Sequence, residues 1–117
     1  MDESPPTQTA VLAGPDTDGL GDALAAEGIE VTPVENPPTG EALETAGVAD
    51  AALYVLTDVT EATSIPVAKE QNPEVRAVVY ADGTIPEFAQ PTTDLRVDPA
   101  LLDPETVAEE LANGPEA

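Results

Sequence analysis

Three short apolar runs constrain this chain more than any other feature: Ala10-Val11-Leu12-Ala13, Ala51 to Leu56, and Val75 to Tyr80, the last carrying one charge at Arg76. Each is too short for a fully buried helix, and none alternates as a strand with one wet face would. Strands that are apolar on both faces are covered on both, which is the condition of a parallel sheet. Between the runs the apolar positions fall at helical spacing. Leu20, Ala23 and Leu24 precede Gly28, a helix terminator. Thr39 can cap a segment carrying Ala42, Leu43 and Ala46, which Gly47 closes. Asp58 and Glu61 have capping-box spacing ahead of a helix through Ile65, Ala68 and Lys69; Pro66 is tolerated only near its first turn, and Asn72-Pro73 ends it. Asp103 caps the last helix, Pro104 takes its first position, Leu102 can staple onto Val107, and Asn113-Gly114 ends it.

The weaker segments fill the gaps. Ile29, Val31 and Val34 make a half-buried strand, and Pro33, which has no N–H to donate, puts that strand at an edge. Asn36-Pro37-Pro38 is a turn. Ile85 to Phe88 reads as a short helical piece and Leu95-Arg96-Val97 as a last short strand. Strand and helix thus alternate five times, the pattern of a three-layer α/β/α doubly wound domain with a five-stranded parallel sheet.

Charge narrows the setting. The chain has 24 Asp and Glu against 3 Lys and Arg, a net charge of −21 over 117 residues. The carboxylates are scattered, as on a folded body, instead of forming one acidic tail. Such a surface repels phosphate backbones and anionic lipid, so no nucleic-acid or membrane partner is expected. No apolar run reaches the length of a membrane span, and Met1 to Thr7 is polar and acidic, unlike a signal peptide. With Lys69 the single lysine, the surface fits a cytoplasmic protein of a salt-in halophile, a haloarchaeon; an ordinary acidic protein is the plainer alternative. The chain has no Cys and no His. Thiolate nucleophiles, zinc–thiolate sites and Ser-His or Cys-His catalysis are therefore excluded.

From Thr39 to Leu111 the chain resembles the N-terminal nucleotide-binding domain of potassium-transport regulators, the TrkA or RCK Rossmann family. The resemblance is carried by Glu44 to Asp58, Ala68 to Arg76 and Val97 to Leu102, and more loosely by Val11 to Glu35. The chain is expected to form one Rossmann-like domain over residues 8–114, with flexible tails at 1–7 and 115–117. Relative to the family, the second helix and third strand are missing between Glu35 and Thr39. The sheet order then becomes 2-1-3-4-5, the flavodoxin-like arrangement.

The ligand place in that order lies beyond the carboxyl ends of strands one and three. The loops there are Gly14 to Gly19 and Thr57 to Glu61, both leading into helix N-termini that favour anions. The family pattern Gly-x-Gly-x-x-Gly reads here Gly14, Asp16, Gly19. The resemblance implies NAD or an adenine nucleotide held by Gly14, Asp16, Gly19, Thr57 and Asp58, with Glu35 on a ribose hydroxyl; Glu61 and Thr63 match family positions as well. Asp16 opposes this, since it sets bulk and negative charge where a glycine would admit a pyrophosphate. The alternative is a vestigial site, in which the glycines only shape a turn and Thr17 or Asp18 caps the helix. No P-loop is present, because Gly19 is followed by Leu20-Gly21.

Asp16, Asp18 and Asp58 could instead gather a hard cation, as in the acidic pocket of phosphoacceptor receiver domains. Asp98-Pro99 stands where those domains need a lysine, so phosphoryl acceptance fails. Tyr54 and Tyr80 are expected in the core, and Arg76 and Arg96 on surface carboxylates. Short haloarchaeal proteins of this kind are sometimes labelled CTP synthetase; the absent P-loop, Cys and His contradict an enzyme of that kind. The expectation is a non-catalytic module that binds a nucleotide or regulates a partner, or else a structural protein assembling as a homodimer.

Overall fold

The computed structural model describes residues 8–16, 18–34 and 38–112. Five strands, β1 (Thr9–Ala13), β2 (Glu30–Val34), β3 (Leu53–Leu56), β4 (Arg76–Tyr80) and β5 (Leu95–Val97), form one sheet in the order β2-β1-β3-β4-β5. All four pairings are parallel. Helices α1 (Leu20–Ala26), α2 (Gly40–Ala46), α3 (Ser64–Gln71) and α4 (Pro104–Ala112) cover it. The alternation of side chains along the central strands divides the core in two. Val11, Tyr54, Leu56, Ala77 and Val79 meet α2 and α3 on one face. Leu12, Leu53, Val55, Val78 and Tyr80 meet α1 and α4 on the other. This is the flavodoxin-like sheet anticipated from the sequence, with β2 at the edge.

Most element ends follow the expected chemistry. α1 closes on Gly28: Gly28 N–H reaches the Ala25 carbonyl and Ile29 N–H the Leu24 carbonyl, both at 3.0 Å, a Schellman turn. Thr39 Oγ1 accepts from Ala42 N–H at 3.1 Å to cap α2. Asp103 Oδ1 accepts from Thr106 N–H at 2.9 Å to cap α4. Leu102, the expected staple, stays 41% exposed, and its carbonyl accepts the Tyr80 hydroxyl at 2.9 Å. The turn at Asn36-Pro37, the stop at Asn113-Gly114 and both tails lie outside the described residues.

Three expectations need correction. The capping box at Asp58 and Glu61 does not form. A 3₁₀ turn, Val59–Glu61, comes first, and α3 begins at Ser64. The cause is Pro66: in a helix starting at Val59 it would owe an N–H to the Ala62 carbonyl, which it lacks, and its ring would strike that carbonyl. Beginning at Ser64 places Pro66 in the first turn, where nothing is owed. The helical piece expected over Ile85 to Phe88 is replaced by turns and a 3₁₀ helix at Gln90–Thr92. Ile85 and Ala89 are buried while Phe88 is 55% exposed, too little apolar surface on one stripe to hold a regular helix. Neither arginine forms an ion pair among the described residues, although the charge of Arg76 helps lower the Asp94 pKa. Arg96 Nη2 donates to the Gly83 carbonyl at 3.0 Å, and Arg76 Nη1 is buried without a hydrogen-bond partner among the described residues. Lys69 alone forms an ion pair there, with Asp94 at 2.7 Å.

Candidate functional site

The loops beyond the carboxyl ends of β1 and β3 are bound to each other. Gly14 has φ of 99°. A Cβ there would collide with Thr57 Oγ1 and stand 3.2 Å from Asp58 N. This close approach of two backbones is what requires a glycine. Thr57 donates its hydroxyl to the Pro15 carbonyl at 2.6 Å and its N–H to the Ala13 carbonyl at 3.0 Å. The switch point between β1 and β3 is therefore a seam. Gly83 makes a second close approach, against Val59.

Asp16, itself exposed, folds back onto the start of α1. Its carboxylate accepts from Gly21 N–H, at 3.1 Å to Oδ2 and 3.2 Å to Oδ1. A Cβ on Gly21 would lie 2.7 Å from Oδ2, so the missing side chain at 21 makes the room that the carboxylate at 16 occupies. Gly19 precedes the helix in the left-handed region, with φ of 81°, and offers no side-chain cap. The cap expected from Asp18 or Thr17 thus comes from Asp16; Asp18 is exposed, and Thr17 lies outside the described residues. So does Glu35, expected on a ribose hydroxyl. Asp58 is also engaged locally: Oδ1 accepts from Thr60 N–H at 3.0 Å and Thr60 Oγ1 at 2.6 Å. The structure brings Gly14, Thr57 and Asp58 into contact and sets Asp16 against Gly21. It does not gather Asp16, Asp18 and Asp58: among the described residues no three carboxylates are grouped closely enough to hold a metal ion.

Beside the seam opens a cleft of about 320 Å³, whose walls include Asp18, Thr57, Tyr80, Asp82 and Asp98. No basic residue lines it. Three aspartates in its lining make it hostile to phosphate at contact range. Tyr80 forms part of the wall. Burial raises its pKa, and the negative charges of Asp18, Asp103 and Glu105 add to the rise. Tyr54 is fully buried in β3. It donates to Ser64 Oγ at 2.7 Å, which donates to the Glu61 carbonyl at 2.6 Å. Burial pushes its phenol up to about 12. Both tyrosines serve the core, as expected. The sequence reading missed Asp82 as a cleft residue, weighed Asp98 only as a replaced lysine, and missed the pairing of Asp16 with Gly21. The Gly19-Leu20-Gly21 triplet was the available signal for that pairing.

Residues 10–111 match a family of unknown function, DUF7126. The chain belongs to that family. No curated protein matches this DUF7126 chain. Among solved structures, an orphan response regulator of H. pylori is similar, with a TM-score of 0.69, 16% identity, and coverage of 93% of this chain and 98% of that one. A pilus assembly-related protein from Burkholderia pseudomallei is similar with a TM-score of 0.65, 14% identity, and coverage of 92% and 88%. At these identities the likeness is one of fold: the DUF7126 chain is a small flavodoxin-like α/β domain with a Rossmann-like parallel sheet. No helix among its described residues is long and apolar enough to cross a membrane.

Proposed function

We propose that this chain is a non-catalytic regulatory module that acts through contact with another protein, and that its nucleotide loop has become internal structure. The observation that carries this reading is the Asp16 carboxylate on Gly21 N–H. A phosphate bound at that helix start would need the same N–H and would meet a fixed negative charge. The Gly14–Thr57 seam and the carboxylate-lined cleft oppose a bound nucleotide as well. The fold is one that an orphan response regulator shares, and it suits a module without turnover. The absence of Cys and His removes most nucleophile and general-base chemistry.

A TrkA-like nucleotide domain binding NAD or an adenine nucleotide is the second reading. Gly14 and Gly19, both at positive φ, favour it, because the turn that would present backbone to a phosphate is retained. Titration of the protein with NAD and with AMP in molar KCl, followed by backbone NMR, separates the two. The contact-module reading expects no saturable shifts at residues 14–19 and 57–61. Saturable shifts confined to those loops would replace it with the nucleotide reading. The working environment in this proposal is the cytoplasm of a salt-in halophile, supported by the net charge of −21.

A further inference from the structure

Strand β2 is where the sheet stops, and it stops unfinished. Among the described residues it pairs on one side only, with β1, and Val31, Thr32 and Val34 are half-buried. A shallow groove flanks it on each face. One, of about 510 Å³, runs between Thr32 and Val34 and the α2 residues Ala42 and Ala46. The other, of about 480 Å³, runs between Val31 and Leu12, Ala25 and Ile29. Glu41 lies in the first groove, and Asp16, Asp22 and Glu30 in the second; neither contains a Lys or Arg.

The backbone of the same edge is partly open. Glu30 N–H points inward to the Gln8 carbonyl at 2.9 Å, so by the alternation of a strand Val31 and Pro33 direct their backbone groups outward. Pro33 has no N–H, which leaves one outward N–H, on Val31, with the outward carbonyls of both residues. That is enough to align a visiting strand and too little for open-ended pairing with identical edges.

We infer that the β2 edge takes an extended segment of another protein, an aliphatic stretch flanked by Lys or Arg, as a sixth strand. This deepens the contact-module reading and rests on it. An added strand drops alternate side chains onto opposite faces of the sheet, and here each face offers a groove. Charge selects the occupant. A second copy would bring Asp16, Asp22, Glu30 and Glu41 against their own equivalents. It also has few cations to offer: Lys69 is on Asp94, Arg96 is on a carbonyl, and Arg76 Nη1 is buried. At molar salt the Debye length is about 3 Å, so only ion pairs in contact contribute, which places the basic residues beside the grooves.

The probe is the acetylated hexapeptide amide Lys-Val-Thr-Val-Val-Lys, which puts a Lys and a Val on each face, titrated into the intact protein in molar KCl, with Glu-Val-Thr-Val-Val-Glu as its charge-reversed control. The expected result is saturable shifts over residues 31–34 and the two grooves, slowed hydrogen exchange at Val31, and binding of the basic peptide at least ~5-fold tighter than the acidic one, the size that two contact ion pairs provide. Glu30→Lys with Glu41→Lys, surface changes that leave the core intact, should reverse the preference. Val31→Pro should abolish binding of both. Equal binding of the two peptides, no protection at Val31, or self-association that buries Val31 without peptide would overturn the inference. Failure here with a blank NAD titration leaves the contact-module reading standing; saturable NAD binding would remove that reading whatever the peptides do.

Discussion

A glycine at position 16 would leave the Gly21 N–H open to a phosphate oxygen; aspartate supplies that oxygen itself. That side chain makes the start of α1 a capped helix end. Asp16→Ala should remove the cap and cost about 1 kcal/mol of stability, measured by urea unfolding in molar KCl. It should also leave NAD and AMP affinity undetectable by calorimetry, because the Gly14–Thr57 seam and the cleft carboxylates remain. A variant that loses stability and gains a nucleotide would show that Asp16 alone had closed the site. Arg76, at the first position of β4, is the opposite case: its charge helps hold the Asp94 carboxyl down, while its buried Nη1 has no hydrogen-bond partner among the described residues.

At the scale of elements, short helices hold because their ends are satisfied and one face is buried. α1 and α2 have 7 residues each, well below the length at which an isolated helix persists in water. Thr39, Asp16 and the terminal glycines secure the ends, and Leu20, Leu24 and Leu43, all fully buried, anchor the faces. The β4–β5 pair is tied in a different way. Asp94 Oδ2 accepts from Ala77 N–H at 2.8 Å and pairs with Lys69. Burial alone would raise the Asp94 pKa, but the Lys69 bond and the Ala77 N–H outweigh it and hold the carboxyl below its usual value of 3.8. A folded pKa below the unfolded one adds stability that is complete above the unfolded pKa and disappears as pH falls through the folded one. The acid limb of the stability curve should therefore be shallower below about pH 4 in Asp94→Asn than in the parent. Chemical unfolding across pH 2–6 checks this, and identical limbs would refute it.

For the whole molecule the dominant quantity is the net charge of −21. The core opposing that repulsion contains two tyrosines and otherwise aliphatic residues, many of them alanines. Below about 0.1 M salt the Debye length exceeds 10 Å and the carboxylates repel across the whole surface. Partial unfolding is expected there, with recovery in molar KCl, read by circular dichroism and hydrogen exchange. Constant spectra and protection from low to molar salt would contradict the proposed halophilic setting.

The sheet and its order were legible in the sequence because its central, buried parallel strands write themselves as short apolar runs, and because Pro33 marks an edge by chemistry alone. Caps were legible where the bond is local: Thr39 to Ala42, Asp103 to Thr106, Gly28 after α1. The start of α3 was misplaced because Asp58 and Glu61 and the proline at 66 make competing local demands, and the balance between them rests on how Ile65 and Ala68 reach the core. The site was least legible. Gly14 and Asp16 were singled out from the sequence, yet their roles depend on Thr57, 43 residues beyond Gly14 by sequence number, and on the room left at Gly21. Local chemistry is carried by neighbours in the chain and can be read there. The closing of the Gly14 loop against Thr57 is decided by distances between separate segments, which exist only once the sheet has brought β1 and β3 side by side.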